Sequence, residues 1–237
     1  VQHEKGEDAP WEAIRPGDIA ILFRAMKDVA LYEQALRDAG LPYYLVVGRG
    51  FFAAQEVQDV ANVLRAIENG LDDIALVGAL RSPMFGLSDE TLYRLGQMRV
   101  GSWMTRLRAA ATGPKEGEEP GPEQFIAPDQ RELVVRAFTL LKDFHDQKNR
   151  LPLPALVQRI VDRTGFTAVL AGQFGGRQMV SNVRKLVELA GEFEAGKKTQ
   201  GQGSLRDFVE HIRRMTTDEV REGQAPIEEE AGDCIKL

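Results

Sequence analysis

Few residues in this sequence have the types and spacing for covalent chemistry, and the most suggestive stretch is 191–199, GEFEAGKKT. It comes within one residue of GxxxxGK[ST], where glycine-rich backbone wraps nucleotide phosphates, the lysine reaches them and a hydroxyl holds magnesium. Lys198 stands where that hydroxyl is needed, and 180–195 has helical periodicity where a strand should feed the loop. The turn GRGFF at 48–52 lacks the third glycine of a dinucleotide fingerprint. His3, His145 and His211 are scattered, with no partner at a metal-ligand spacing. Asp72 with Asp73 fits a helix start, and Glu228 to Glu230 fits a solvated run, better than either fits an acid–base pair. Cys234 has no base nearby and is expected to be a small, semi-buried apolar residue. What remains is binding chemistry: Arg81, Arg94, Arg99, Arg106 and Arg108 face only Asp89 and Glu90 within 81–108. Such a stretch suits phosphate contacts, although an ordinary solvated helix face has the same composition.

The bulk properties narrow the field. At 237 residues the chain has room for one large domain, or for a small domain with a helical partner. Thirty Lys and Arg against 36 Asp and Glu give a net charge of -6, so any contact to nucleic acid must be local. Much of the negative excess sits in the tail, 218–233. A single cysteine excludes an internal disulfide and a cysteine-cluster zinc site. No run approaches the roughly 20 apolar residues of a membrane span, and 1–18 has no signal-peptide pattern. A cytoplasmic protein without membrane contact is the expectation.

Several elements must position these residues. Segment 1–17 is polar and broken by Pro10 and Pro16, as in a loop or extended arm. Residues 18–24, DIAILFR, read as a strand buried on both faces, and 41–47, LPYYLVV, as a second. Between them Leu31, Ala35, Leu36 and Ala39 have helical spacing, stopped by Gly40 and Pro42. Strand, helix and strand fit a right-handed parallel βαβ unit. Two strands cannot bury both faces of a sheet, so this unit is expected to be part of a larger sheet. From Glu56 on the pattern predicts helices at 74–80, 89–98, 102–111, 128–148, 155–163, 180–195 and 205–215. The composition of 112–124, TGPKEGEEPGPEQ, predicts a flexible loop dividing the helical region into two lobes. The fold class expected is mainly α, with a partial parallel sheet ahead of a helical domain.

The run 18–59 carries, in order, DIAILFR, YEQALRDAGLPY and VVGRGFFAAQEVQD. It resembles the second motor domain of UvrD-type superfamily 1 DNA helicases, especially the AddA and RecB subunits of helicase-nucleases. Ala53 to Gln55 departs from the basic residue frequent there after the paired Phe51 and Phe52. Residues 81–92, RSPMFGLSDETL, resemble the loop and helix that read Gly-Ile-Gly in UvrD-like proteins and touch duplex backbone, with Phe85 replacing the first glycine. The blocks GGRQMVSNVRKLVELAGEFE and SLRDFVEHIRRM are similar to helices of the AddA and RecB branch, so the resemblance covers nearly the whole chain. The chain stops at DCIKL, where such helicases run on into a TIHKSKGLE-like segment, and this suggests an excised piece of a motor.

The resemblance implies a division into 1–50, part of a second RecA-like motor domain; 51–230, the inserted helical domain; and 231–237, the start of a return strand. It implies DNA contacts by Arg24, Arg49, Phe51, Phe52, Arg81, Gly86, Leu87 and Ser88, to duplex and to a single-stranded junction. Phe51 and Phe52 either stack on bases or pack the first helix of the inserted domain. Gly86 permits close backbone approach, Ser88 caps the helix starting at Asp89, and free N–H groups there attract phosphate. It further implies a non-catalytic role: ATP and Mg2+ belong to the parent helicase, the partners are the remaining motor domains and a nuclease subunit, and no cofactor binds these residues. Two other readings remain: a helical module that docks a partner subunit without touching DNA, which suits the acidic balance, and a nucleotide-binding protein built on the βαβ unit.

Overall fold

The computed structural model describes residues 13–23, 29–44, 51–114, 121–197, 203–217 and 234–237. Its helices are α1 (Val29–Asp38), α2 (Gln55–Glu68), α3 (Asp73–Arg81), α4 (Asp89–Gln97), α5 (Trp103–Thr112), α6 (Pro128–Gln147), α7 (Leu153–Thr164), α8 (Phe166–Ala171), α9 (Gly176–Lys197) and α10 (Leu205–Thr217). The protein is mainly helical, as the periodicity predicts.

Local sequence explains the helix bounds. Ser88 and Ser102 cap α4 and α5 by accepting the backbone N–H of Thr91 and Thr105. Asp72 caps α3 through Ala75 N, which is the helix-start role expected of the Asp72–Asp73 pair. Pro128 opens α6, where a missing N–H costs nothing, and Gly165 at φ 71° ends α7 in the left-handed region. Val134, Ala137, Leu140, Leu141 and Phe144 form the buried stripe of α6, with Leu133 partly buried beside them.

The core differs from the expectation of two lobes. One apolar cluster runs from Phe51 and α2 through Leu107 and α6 to Leu186 on α9 and Phe208 on α10. The reason is α2, whose buried residues Glu56, Val57, Asp59, Val60, Ala61, Val63, Leu64, Ala66 and Ile67 spread over more than half of its circumference. It packs on α3, α6, α7, α9 and α10, so segments on both sides of 112–124 share one interior.

The strand expectations need a larger correction. The described strands are β1 (Tyr43–Tyr44) and β2 (Ile235–Lys236), paired in parallel with Tyr43 opposite Ile235 and Tyr44 opposite Lys236. The described parts of the two expected strands, 18–23 and 41–44, are not neighbours, because the C-terminal residues lie between them. Ala20 bridges Lys236, with Ile21 N on Lys236 O at 2.7 Å and Lys236 N on Ile19 O at 3.0 Å. Nor is 18–24 buried on both faces: Ile19, Ile21 and Phe23 pack towards Val29, Leu36, Ile235 and Leu237, while Leu22 is 93% exposed. A RecA-like sheet is not formed among the described residues. No helix among them is long and apolar enough to cross a membrane.

Candidate nucleic-acid interface

The segment joining α3 to α4 is the best-defined loop that the sequence singles out. Met84, Phe85 and Leu87 are buried in the main core, so three of its side chains act as roots. Gly86 between them is exposed at φ 68°, and a Cβ there would meet nothing within 4 Å, so backbone conformation and not space demands glycine. The amides of Phe85 and Gly86 both donate to Ser82 O, at 3.1 and 2.9 Å, and Leu87 N donates to Leu80 O at 3.0 Å. Ser88 N donates to Gln130 Oε1 at 2.9 Å. The amides of residues 85–88 are therefore all engaged. At the helix start, Thr91 N is taken by Ser88 Oγ and Leu92 N by Ser88 O. The first-turn amides of Asp89 and Glu90 have no intrahelical acceptor and remain the donors available to an anion.

The arginines are also more committed than the sequence suggests. Arg81 forms a two-pronged pair with Asp89, Nε to Oδ1 at 2.8 Å and Nη2 to Oδ2 at 3.1 Å. That hydrogen-bonded pairing lowers the Asp89 pKa and raises that of Arg81. Arg94 is held by Glu90 and lies over the rings of Tyr93 and Phe125. Arg106 donates to Val100 O and Gly96 O, closing the C-terminal end of α4. Arg99 and Arg108 are exposed, and no ion pair joins either among the described residues.

Other expected residues lie elsewhere. Phe51 and Phe52 are 0% and 2% exposed, stacked edge to face at 5.0 Å at the base of α2. Neither offers a face to a base; the packing alternative describes them. Lys185 of α9 sits 4.8 Å from the Phe51 ring centre. Arg24 and Arg49 fall outside the described residues. Gly191 and Gly196 both lie within α9, so residues 191–197 of the segment resembling a phosphate loop are helix. Cys234 is partly buried, as expected.

Two residues of this site carry no motif. Gln130 of α6 accepts Ser88 N and, at 3.0 Å, the Thr91 hydroxyl. Arg136 of the same helix donates to Met84 O in the loop at 3.0 Å and to Thr164 O at the end of α7 at 2.9 Å. Their acceptors and donors are mainly backbone atoms, which leave no side-chain signature in a sequence.

The connection from α3 to α4 is thus rooted in the core by three side chains and ends at a helix start capped by Ser88. Residues 10–112, which include it, match the family described as the UvrD-like helicase C-terminal domain, and this part of the chain belongs to that family. The chain's similarity to individual proteins is longer. It is 29% identical over 220 residues to an ATP-dependent helicase/nuclease subunit of Listeria innocua, covering 93% of this chain and 17% of that protein. The same-named proteins of Bacillus cytotoxicus and Clostridioides difficile are 31% and 25% identical over 200 and 221 residues, covering 84% and 91% of this chain. The chain thus spans about a sixth of the length of these curated relatives, 15–17%.

Proposed function

We propose that this chain is a non-catalytic part of an ATP-dependent DNA helicase-nuclease, meeting the duplex backbone through the loop 81–88 and the first turn of α4. The observation that carries this reading is the loop itself: Gly86 stands exposed at a left-handed φ while Met84, Phe85 and Leu87 fix it to the core. A backbone held in one shape can meet a phosphate without an ordering cost at the moment of binding. In this reading residues 1–50 and 231–237 belong to a second RecA-like motor domain whose sheet is completed by other segments, and 51–230 form the domain inserted into it. ATP and Mg2+ are bound by other parts of the enzyme, and its partners are the remaining motor domains and a nuclease subunit.

Arg81 reaches phosphate only by exchanging Asp89 for it, and Arg99 and Arg108 add longer-range attraction. Binding is therefore weak, local and salt-sensitive. The test is affinity for a duplex with a single-stranded tail, measured against salt. Binding that weakens with salt and is lost in an Arg81→Ala, Gly86→Val double variant supports the reading; equal binding by wild type and variant contradicts it.

A docking module is the second reading, favoured by one observation. Leu71 and Ile74, at the turn into α3, are 76% and 81% exposed. Two large apolar residues so close together suit a protein partner better than DNA.

A further inference from the structure

We infer that α6 is the positioning element of the DNA-contacting loop, with Arg136 and Gln130 as its two grips; this rests on the duplex-contact reading above. The geometry leaves the loop with two kinds of anchor. Met84, Phe85 and Leu87 bury side chains, which fixes where the loop sits but not how its peptide groups turn. The peptide orientations are set by hydrogen bonds, and two of these reach outside the α3–α4 connection, both to α6. Arg136 Nη1 holds Met84 O on the near side of Gly86, and Gln130 Oε1 holds Ser88 N on the far side. Gly86, at φ 68°, is the one loop residue whose backbone is free to populate both halves of conformational space. Grips on either side of it remove that freedom.

Each grip has a second attachment. The other guanidinium nitrogen of Arg136 holds Thr164 O, where α7 ends at the left-handed Gly165. Gln130 Oε1 also accepts the Thr91 hydroxyl, whose oxygen lies 2.9 Å from the capping Ser88 Oγ. The loop is therefore tied through Arg136 to the α7–α8 corner, and the capping serine through Gln130 to α6. The guanidinium holds its two carbonyls with two nitrogens fixed apart in one plane, a spacing that the single nitrogen of a lysine does not reproduce. Neither residue touches the ligand in this account; both act through the backbone of 84–88.

The experiment compares the 237-residue chain with Arg136→Met, Arg136→Lys, Gln130→Ala and Gly86→Val, by amide hydrogen exchange and by affinity for the tailed duplex at fixed salt. Arg136→Met and Gln130→Ala are expected to speed exchange at Phe85, Gly86, Leu87 and Ser88 while the α2 and α9 amides keep wild-type rates. They are expected to weaken duplex binding roughly tenfold, the scale of one lost hydrogen bond. Arg136→Lys should fall between, since it keeps the charge and loses the two separated nitrogens of the fork. Should Arg136→Met fail to fold, Gln130→Ala carries the same two expectations from the other side of the loop. Unchanged exchange at 85–88 overturns the inference whatever the DNA does. Weak binding by Gly86→Val with wild-type affinity in Arg136→Met and Gln130→Ala overturns it alone. Wild-type affinity in Gly86→Val as well overturns the duplex-contact reading beneath it.

Discussion

At the scale of single residues, Asp89 and Asp59 show how the same side chain serves opposite ends. Asp89 opens α4 with both carboxylate oxygens on Arg81, so it occupies the guanidinium that a phosphate would otherwise meet. Its pKa is lowered by that pairing, so the ion pair is complete at neutral pH and opens only as pH falls through the depressed value, below 3.8. Asp89→Asn frees Arg81 and removes a repelling charge; duplex affinity at low salt is expected to rise roughly threefold, read by fluorescence anisotropy. No change would mean that Arg81 plays no part in binding. Asp59 is buried on α2, and burial raises its pKa above 3.8, with Glu56 adding to the rise and the bond from Gln55 opposing it. The native state then keeps its proton to higher pH than the unfolded chain does, so stability falls as pH climbs through the window above 3.8. Asp59→Asn is expected to raise Tm at neutral pH and to flatten this decline, with little effect near pH 3, where both states are protonated. A Tm that falls at neutral pH would show the charge to be useful.

At the scale of elements, packing decides between two uses of one motif. Phe51 and Phe52 were legible as a paired aromatic feature, but sequence alone leaves open whether such a pair faces solvent or core. Their burial at the foot of α2 settles that question for this chain. Phe51→Ala is expected to cost about 3–5 kcal/mol in denaturant unfolding, the range for a buried phenylalanine, while the folded fraction keeps its duplex affinity. A small stability loss with a large affinity loss would restore the stacking role. The helices were readable because each carries its own apolar stripe and its own stop, as α6 and α7 do. The pairing of Tyr43–Tyr44 with Ile235–Lys236 was not, because its partner lies far along the chain and two residues carry no periodicity. Likewise Arg136 reads from sequence as one more surface charge; its ties to Met84 O and Thr164 O exist only once three helices meet.

At the scale of the whole molecule, a chain of net charge -6 that approaches DNA must do so through one limited face. Among the described residues Arg65, Arg81, Arg94, Arg159 and Arg213 are held by Asp72, Asp89, Glu90, Asp143 and Glu210, which lowers the attraction those arginines exert at long range. The chain is expected to hydrolyse no ATP above a buffer control when DNA is added, because Lys198 stands where a phosphate loop needs a hydroxyl and residues 191–197 of that stretch are helix; robust turnover would contradict the non-catalytic reading. The exposed pair Leu71 and Ile74 marks a second face, away from the motif that carries the duplex reading. The most direct measurement is an NMR titration of the chain with a tailed duplex, following every assigned backbone amide. The account predicts shift changes clustered at 81–90, strongest at Gly86, Asp89 and Glu90, and reversed by added salt. Changes that are absent there, or confined to the neighbourhood of Leu71 and Ile74, would contradict it.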